Sequence, residues 1–196
     1  KTFKTSPFDD IVLLQADRDL PRFRIQGARS ETRQDLQDKE VLQEDAIRYS
    51  LKVGSRFATE RLDVPKRLVL TTYQTLRDYQ FSLCRVHWTV VVLDEAQNVK
   101  NPNVLQTRAA RGLNADFKLL MTGTPVENSL VDFWCLMRIA QPSLLGELDE
   151  FRAKYIRPIK QAEPEAEETA RLEVGKRLRT AVGPFMLRRM KVDHLD

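Results

Sequence analysis

Three short apolar runs constrain the fold of this 196-residue chain more than any other feature. They lie at residues 68–70, 88–93 and 117–121, and each ends abruptly in polar residues. Short, uninterrupted runs of this kind are typical of strands buried on both faces of a parallel sheet. A fourth run, residues 11–14, predicts one more short buried strand.

Helical patterns separate and follow these runs. After Asn101, apolar residues recur at helical spacing through residue 113. Ser129 is a suitable N-cap for a helix over residues 130–139, and Pro142 would end it. Strands that alternate with helices over such intervals indicate an α/β sheet, in which ligands bind at the carboxyl ends of the strands.

The two ends of the chain have a different character. Residues 31–62 are highly charged, and their spaced apolar residues predict one or two amphipathic helices. Near the other end, an acidic patch at 163–168 precedes a predicted helix at 170–182, which Gly183 and Pro184 interrupt. We therefore expect helical segments at both ends of the α/β region.

Composition excludes several classes of protein. With 42% hydrophobic and 31% charged residues, the chain is expected to fold as a soluble domain. No run approaches the ~20 apolar residues of a membrane span, so no membrane partner is expected. Two cysteines and two histidines without ligand spacing predict neither a disulfide framework nor a zinc site, and favour an intracellular protein. The net charge of +4 permits a nucleic-acid partner without requiring one.

Two carboxylates, Asp94 and Glu95, follow the valine-rich run at 88–93. At the end of a buried strand, such a pair suits nucleotide hydrolysis, because one carboxylate can hold Mg²⁺ while the next activates water. The pattern alone is equally compatible with a strand that ends in a solvated acidic turn.

The other two runs also end in groups that can contact a phosphate. Residues 122–128 read Thr-Gly-Thr-Pro-Val-Glu-Asn, and residues 71–74 read Thr-Thr-Tyr-Gln. Glycine allows a close backbone approach, and hydroxyl groups can hydrogen-bond phosphate oxygens. Taken singly, the first segment could be an ordinary turn between strand and helix, and the second a strand end frayed by threonines.

The ordered set of motifs resembles the Swi/Snf-type ATPases, which are superfamily-two helicase-like enzymes. Four segments carry the resemblance: Leu-Thr-Thr-Tyr-Gln-Thr-Leu-Arg (70–77), Leu-Asp-Glu-Ala-Gln-Asn-Val-Lys-Asn-Pro (93–102), Leu-Met-Thr-Gly-Thr-Pro-Val-Glu-Asn (120–128) and Phe-Met-Leu-Arg-Arg-Met-Lys (185–191). Gln97 stands where many members of the family have histidine, and a glutamine at this motif position resembles the bacterial members. The match extends from about residue 68 to residue 194.

The resemblance implies a fold and a division of the chain. The fold would be α/β, a partial RecA-like three-layer sandwich with a mostly parallel sheet. Residues 1–64 would form a variable, largely helical upstream segment, and residues 65–160 the later half of the first RecA-like lobe. Residues 161–196 would extend as helix toward a second ATPase lobe of the same parent protein.

The resemblance also implies residue roles. Asp94 would coordinate the Mg²⁺ of bound ATP, Glu95 would activate water, and Gln97 would couple the γ-phosphate to the nucleic-acid side. The residues that would link hydrolysis to lobe movement are Thr122, Gly123, Thr124 and Asn128. Those on the nucleic-acid side would be Thr72, Tyr73, Lys100, Asn101, Arg188, Arg189 and Lys191. The alternative for Lys100 is that it is a solvated charge in a loop. The alternative for Arg188, Arg189 and Lys191 is that they form a solvated basic helix end.

One departure from the family concerns the phosphate-binding loop, Gly-x-x-x-x-Gly-Lys-Ser/Thr. Of the seven glycines only Gly175 precedes a lysine, and Arg177 stands where a hydroxyl is required. The transition-state arginines of a second lobe are missing too. We therefore expect a fragment of a larger protein that does not hydrolyse ATP by itself.

Two functions follow as hypotheses. In the first, the parent is a DNA-dependent ATPase that translocates on double-stranded DNA and remodels nucleoprotein, with a possible RNA polymerase-like partner. It would act in the bacterial cytoplasm or nucleoid. In the alternative, a non-catalytic nucleic-acid- or protein-binding module retains the ATPase-lobe fold. The intact Asp94 and Glu95 pair favours the first, because a scaffold needs neither carboxylate.

Overall fold

The structure, a computed structural model, describes residues 7–15, 17–23, 52–53, 56–57, 62–123 and 129–187. The chain divides into two compact units, Lys1–Gly123 and Thr124–Asp196. The three motif-bearing strands belong to the first unit. The predicted division at residues 64/65 and 160/161 concerns domains of the parent protein and stays a prediction.

Two parallel strand pairs form the framework of the first unit. Strand β1 (Asp10–Leu14) pairs with β4 (Arg67–Thr71), and β5 (His87–Leu93) pairs with β6 (Asn114–Leu120). All four predicted strands are therefore present, each within a few residues of its predicted bounds. Their parallel pairing, with helices between them, confirms the α/β class.

A short antiparallel pair corrects part of the helical prediction for residues 31–62. Strands β2 (Lys52–Val53) and β3 (Arg56–Phe57) pair with each other, so the helix does not continue through this segment. Two residues, one of them Gly54, separate the strands, and this is the spacing of a two-residue hairpin. The rest of the predicted helical segment, except Leu62, lies outside the described residues.

Helices connect the parallel strands of the first unit. The helix predicted to follow Asn101 is confirmed as α4, and Thr72 caps α2 by accepting a hydrogen bond from the backbone N–H of Thr75 at 3.1 Å. The helical elements are α1 (Leu20–Phe23), α2 (Tyr73–Asp78), α3 (Gln80–Leu83), a 3₁₀ turn (Ala96–Val99) and α4 (Leu105–Gly112).

The prediction that these strands are buried on both faces is wrong for the described part of the chain. In β5, Val91 and Leu93 are buried, whereas Val90 and Val92 are each 52% exposed. In β6, Phe117 is 58% exposed. An apolar run indicates that both faces of a strand become buried, whereas the described residues bury only one face of β5 and leave no residue of β6 fully buried.

The second unit is helical. Helix α5 (Leu130–Ala140) begins after Ser129, whose hydroxyl accepts a hydrogen bond from the N–H of Asp132 at 3.2 Å, and it ends before Pro142 as predicted. The remaining elements are α6 (Leu148–Phe151), a π-helical segment (Arg152–Ile156), α7 (Arg157–Lys160), α8 (Glu167–Val182) and a 3₁₀ turn (Gly183–Phe185). In the described ranges, no helix combines the length and the apolar character that a bilayer span requires.

One apolar cluster holds the second unit together. Residues of α5, such as Phe133 and Trp134, pack with Phe151 and Tyr155 and with Val174 of α8. The helix of the predicted C-terminal extension therefore shares a core with the helix that follows the Thr-Gly-Thr-Pro motif.

The one-sided burial of β5 leads to a test with adjacent valines. We expect Val91→Ala to lower the free energy of unfolding of this chain by about 2 kcal/mol, because it removes buried methyl groups. Val92→Ala, the matched control on the opposite face, should change it by less than about 0.5 kcal/mol. Urea denaturation of the three proteins measures both values, and equal losses would show that the outer face of β5 is also packed.

Candidate active site

The pairing of β5 with β6 brings two of the predicted motifs together. The carbonyl of Leu93 accepts a hydrogen bond from the N–H of Met121 at 2.9 Å, and the carbonyl of Met121 accepts one from the N–H of Ala96 at 2.9 Å. The turn that carries Asp94 and Glu95 therefore lies beside the segment that begins at Thr122. This is the carboxyl-terminal edge of the strands, where ligands of α/β sheets bind.

The backbone at Glu95 adopts a left-handed conformation. Its φ of 48° and ψ of 49° cost about 1–2 kcal/mol for a residue with a side chain. Its carbonyl accepts hydrogen bonds from the backbone N–H of Asn98 at 3.0 Å and from the Asn98 side-chain amide at 2.9 Å. Such strained residues concentrate at functional sites, where the surrounding structure holds them in place.

A chain of side-chain hydrogen bonds joins three of the predicted residues. The hydroxyl of Thr122 donates to Oε1 of Gln97 at 2.7 Å, and Nε2 of Gln97 donates to Oε2 of Glu95 at 2.6 Å. The amide of Gln97 therefore links the carboxylate turn to the Thr-Gly-Thr segment, and both of its polar atoms are engaged.

Tyr73 reaches the same turn from the end of β4. Its hydroxyl donates to the backbone carbonyl of Asp94 at 2.7 Å. Burial, together with the negative charges of Asp94 and Glu95, raises the pKa of Tyr73 to about 12. The hydroxyl therefore stays protonated, and remains a donor, throughout the neutral pH range.

The carboxylates fit the binding of a magnesium-bound nucleotide. Asp94 and Glu95 are both exposed, and Oδ1 of Asp94 accepts a hydrogen bond from the N–H of Glu95 at 2.9 Å. That bond engages one of the two carboxylate oxygens of Asp94. Mg²⁺ is commonly held by one or two carboxylates together with phosphate oxygens and water. Within the described ranges there is no cluster of three or more acidic, histidine or cysteine residues that could hold a metal without phosphate.

The residues predicted to contact nucleic acid differ in their exposure and in their hydrogen bonds. The hydroxyl of Thr72 caps α2 and also donates to Oγ1 of Thr75 at 3.1 Å, so it is engaged locally. Asn101 is exposed, its side-chain oxygen accepts a hydrogen bond from the N–H of Asn103 at 3.0 Å, and Lys100 is half-buried beside it.

Other predicted site residues lie at or beyond the edges of the described ranges. Gly123 is exposed, and a Cβ at its position would meet no atom within 4 Å. The predicted residues outside the described ranges are Thr124, Asn128, Arg188, Arg189 and Lys191.

Asn98 supports the site and was missed by the sequence analysis. Its side chain holds the carbonyl of Glu95, while its own carbonyl accepts a hydrogen bond from Nε2 of Gln106 at 3.3 Å. A signal was present, because an asparagine three residues after a turn residue often bonds to its backbone.

The chain was compared with protein families and with individual proteins. A family model described as "SNF2-related domain" matches residues 19–195. The Zorya protein ZorD of Escherichia coli is 51% identical over 125 residues, which are 64% of this chain and 11% of that protein. The putative ATP-dependent helicase/translocase YwqA of Bacillus subtilis is 35% identical over 71% of this chain and 14% of its own length. The chain spans 7–21% of the length of the curated relatives it matches.

Among solved structures, the chain resembles the SWI2/SNF2 ATPase core of Sulfolobus solfataricus in complex with double-stranded DNA. The TM-score is 0.55 and the identity 28%, over 92% of this chain and 28% of that one.

The bond between Thr122 and Gln97 can be tested with a double-mutant cycle. We expect Thr122→Val and Gln97→Ala, measured singly and together by urea unfolding of this chain, to show a coupling of about 0.5–1.5 kcal/mol. The valine keeps the shape of threonine and removes only the donor. Strictly additive effects would mean that the two side chains do not interact.

Proposed function

This chain belongs to the SNF2-related family, and from that premise we propose that it is the later part of the first lobe of a DNA-dependent ATPase that translocates on duplex DNA. Membership confirms the resemblance drawn from the motifs, and the structural neighbour confirms the RecA-like α/β fold. The observation that carries the proposal is the set of hydrogen bonds at the strand ends. Tyr73 donates to the backbone carbonyl of Asp94, Gln97 donates to the carboxylate of Glu95, and Thr122 donates to Gln97.

The roles proposed for the two carboxylates are those that the family resemblance implies, and their contacts are compatible with them. Asp94, at the end of β5, would hold the Mg²⁺ of ATP through its carboxylate. When bound, the metal neutralises negative charge on the phosphates. Glu95 would orient the attacking water and accept its proton, and the hydrogen bond from Gln97 leaves one of its two carboxylate oxygens for that purpose.

Gln97 and Thr122 are proposed to couple hydrolysis to movement. Because the Gln97 amide is bonded on one side to Glu95 and on the other to Thr122, a change at the terminal phosphate would reach the Thr-Gly-Thr segment through two hydrogen bonds. Gly123, Thr124 and Asn128 complete this segment in the sequence, and we assign them to the same coupling role.

Duplex DNA is the proposed partner. The Sulfolobus relative was solved with double-stranded DNA, and the pI of this chain is about 9.1. Phosphate contacts would come from Thr72, Tyr73, Lys100 and Asn101 and from the basic residues Arg188, Arg189 and Lys191. We further propose a nucleoprotein or an RNA polymerase-like complex as the remodelled partner, a second lobe in the same parent protein, and a site of action in the bacterial cytoplasm or nucleoid.

A non-catalytic module with the same fold is the competing function. A binding module would not need two exposed carboxylates on a strained turn supported by side-chain hydrogen bonds, so the catalytic proposal is favoured. A glycine-rich phosphate-binding loop elsewhere in the parent gene would separate the two, because only the ATPase requires it.

The role of Glu95 is testable in the full-length protein. We expect Glu95→Gln to lower the kcat of ATP hydrolysis by at least about 100-fold while ATP binding is retained, because the amide cannot accept the proton. Glu168→Gln, an exposed position on α8, is the control for loss of a negative charge. Phosphate release with and without duplex DNA is the measurement, and near-normal turnover by the Glu95 variant would contradict the proposal. This 196-residue chain alone should release no phosphate, because it lacks the phosphate-binding loop.

Contacts to DNA phosphate can be tested through salt dependence. Replacing Arg188 and Arg189 together by alanine should reduce the slope of log affinity against log salt by about 2, because each phosphate contact contributes about 0.9. Lys176 and Arg179, exposed on α8, form a control pair with the same change in net charge. Equal slopes for both double variants would remove Arg188 and Arg189 from the DNA interface.

A further inference from the structure

Tyr73 connects two parts of the first unit that no strand pairing joins. Tyr73 comes just after β4, and β4 pairs with β1. Asp94 comes just after β5, and β5 pairs with β6. In the described ranges these are separate two-stranded sheets. The hydrogen bond from the Tyr73 hydroxyl to the Asp94 carbonyl, 2.7 Å long, therefore links the carboxyl ends of two sheets.

The bond acts on a peptide group that both carboxylates depend on. The carbonyl of Asp94 accepts from Tyr73, and the N–H of the same peptide, which belongs to Glu95, donates to Oδ1 of Asp94. With both polar atoms bonded, the orientation of this peptide plane is fixed. Rotation of the plane would break both bonds, would release the carboxylate of Asp94 from the N–H of Glu95, and would move φ of Glu95 away from its left-handed value.

Fixing this plane matters because the conformation of Glu95 is unfavourable on its own. A φ of 48° is rarely adopted by a residue with a side chain, so the turn relaxes unless its neighbours hold it.

We propose that Tyr73 is a positioning residue, whose hydroxyl holds the peptide between Asp94 and Glu95 and so keeps the carboxylate turn in its working conformation. This inference rests on the proposed ATPase function. Tyr73 is the first residue of α2, and Thr72 caps that helix, so the tyrosine is fixed at the start of a helix. Its hydroxyl reaches the backbone of the carboxylate turn through one hydrogen bond, and shifts of about 1 Å in a catalytic group are sufficient to change turnover about 100-fold.

Two other roles for the tyrosine predict different results. If Tyr73 only contacts nucleic acid, its loss weakens DNA binding, and saturating DNA restores the rate. If it only fills space, Tyr73→Phe keeps the ring and behaves like the wild-type protein. A positioning role instead lowers kcat with little change in KM, and excess DNA does not restore it.

The experiment uses Tyr73→Phe in the full-length protein. We expect kcat at saturating duplex DNA to fall about three- to tenfold, in line with the loss of one hydrogen bond, with KM for ATP changed less than about twofold. Tyr155→Phe, which removes a buried tyrosine hydroxyl in the second unit, is the matched control. A wild-type kcat, or recovery of kcat with excess DNA, would overturn the positioning role. An equal loss of kcat in Tyr73→Phe and Tyr155→Phe would also overturn the positioning role.

A second measurement does not depend on ATPase activity. Hydrogen exchange of the Glu95 amide in the full-length protein should be about three- to tenfold faster in Tyr73→Phe and unchanged in Tyr155→Phe. Unchanged exchange in both variants would overturn the proposal. If the wild-type protein hydrolyses no ATP but exchange at Glu95 quickens, the ATPase assignment fails while the role of Tyr73 in holding the turn stands.

Discussion

The parallel pairing of β5 with β6 is the interaction on which the rest of the site depends. It is continued past the strand ends by the backbone hydrogen bonds of Met121, to Leu93 on one side and to Ala96 on the other. Because the pairing is parallel, both strands end at the same edge, and the carboxylate turn comes to lie beside Thr122. An antiparallel arrangement would have placed the two motifs at opposite ends of the strands.

The turn after β5 shows how local strain and its support are combined. Glu95 takes a backbone conformation that a sequence search would assign to glycine or asparagine. Tyr73, Asn98 and the side chain of Asp94 each bond to the backbone around it, and Gln97 bonds to its carboxylate. The neighbouring residues therefore hold a geometry that the glutamate would not adopt alone, and Glu95 stays exposed to solvent.

Sequence patterns predicted the regular elements well where the signal is local. The four strands and the helices after Asn101 and Ser129 were predicted because apolar periodicity and caps act over a few residues. The antiparallel pairing of Lys52–Val53 with Arg56–Phe57 was missed, since two strands of two residues each hardly alter the helical pattern of a charged segment. The exposed faces of β5 and β6 were missed for another reason. An apolar strand indicates that both of its faces become buried, but it does not indicate which part of the protein packs against them.

The sequence by itself determined the kinds of chemical group, their order and their place at strand ends, and through them the SNF2-related family. Those properties follow from residue type and spacing, which act within a few residues along the chain. Only the tertiary structure decided which groups bond. It joined Gln97 to Thr122 across 25 positions, and it turned the hydroxyl of Tyr73 toward the Asp94 carbonyl. Such partners are set by how separate strands pack side by side, and no pattern along the chain encodes a direction in space.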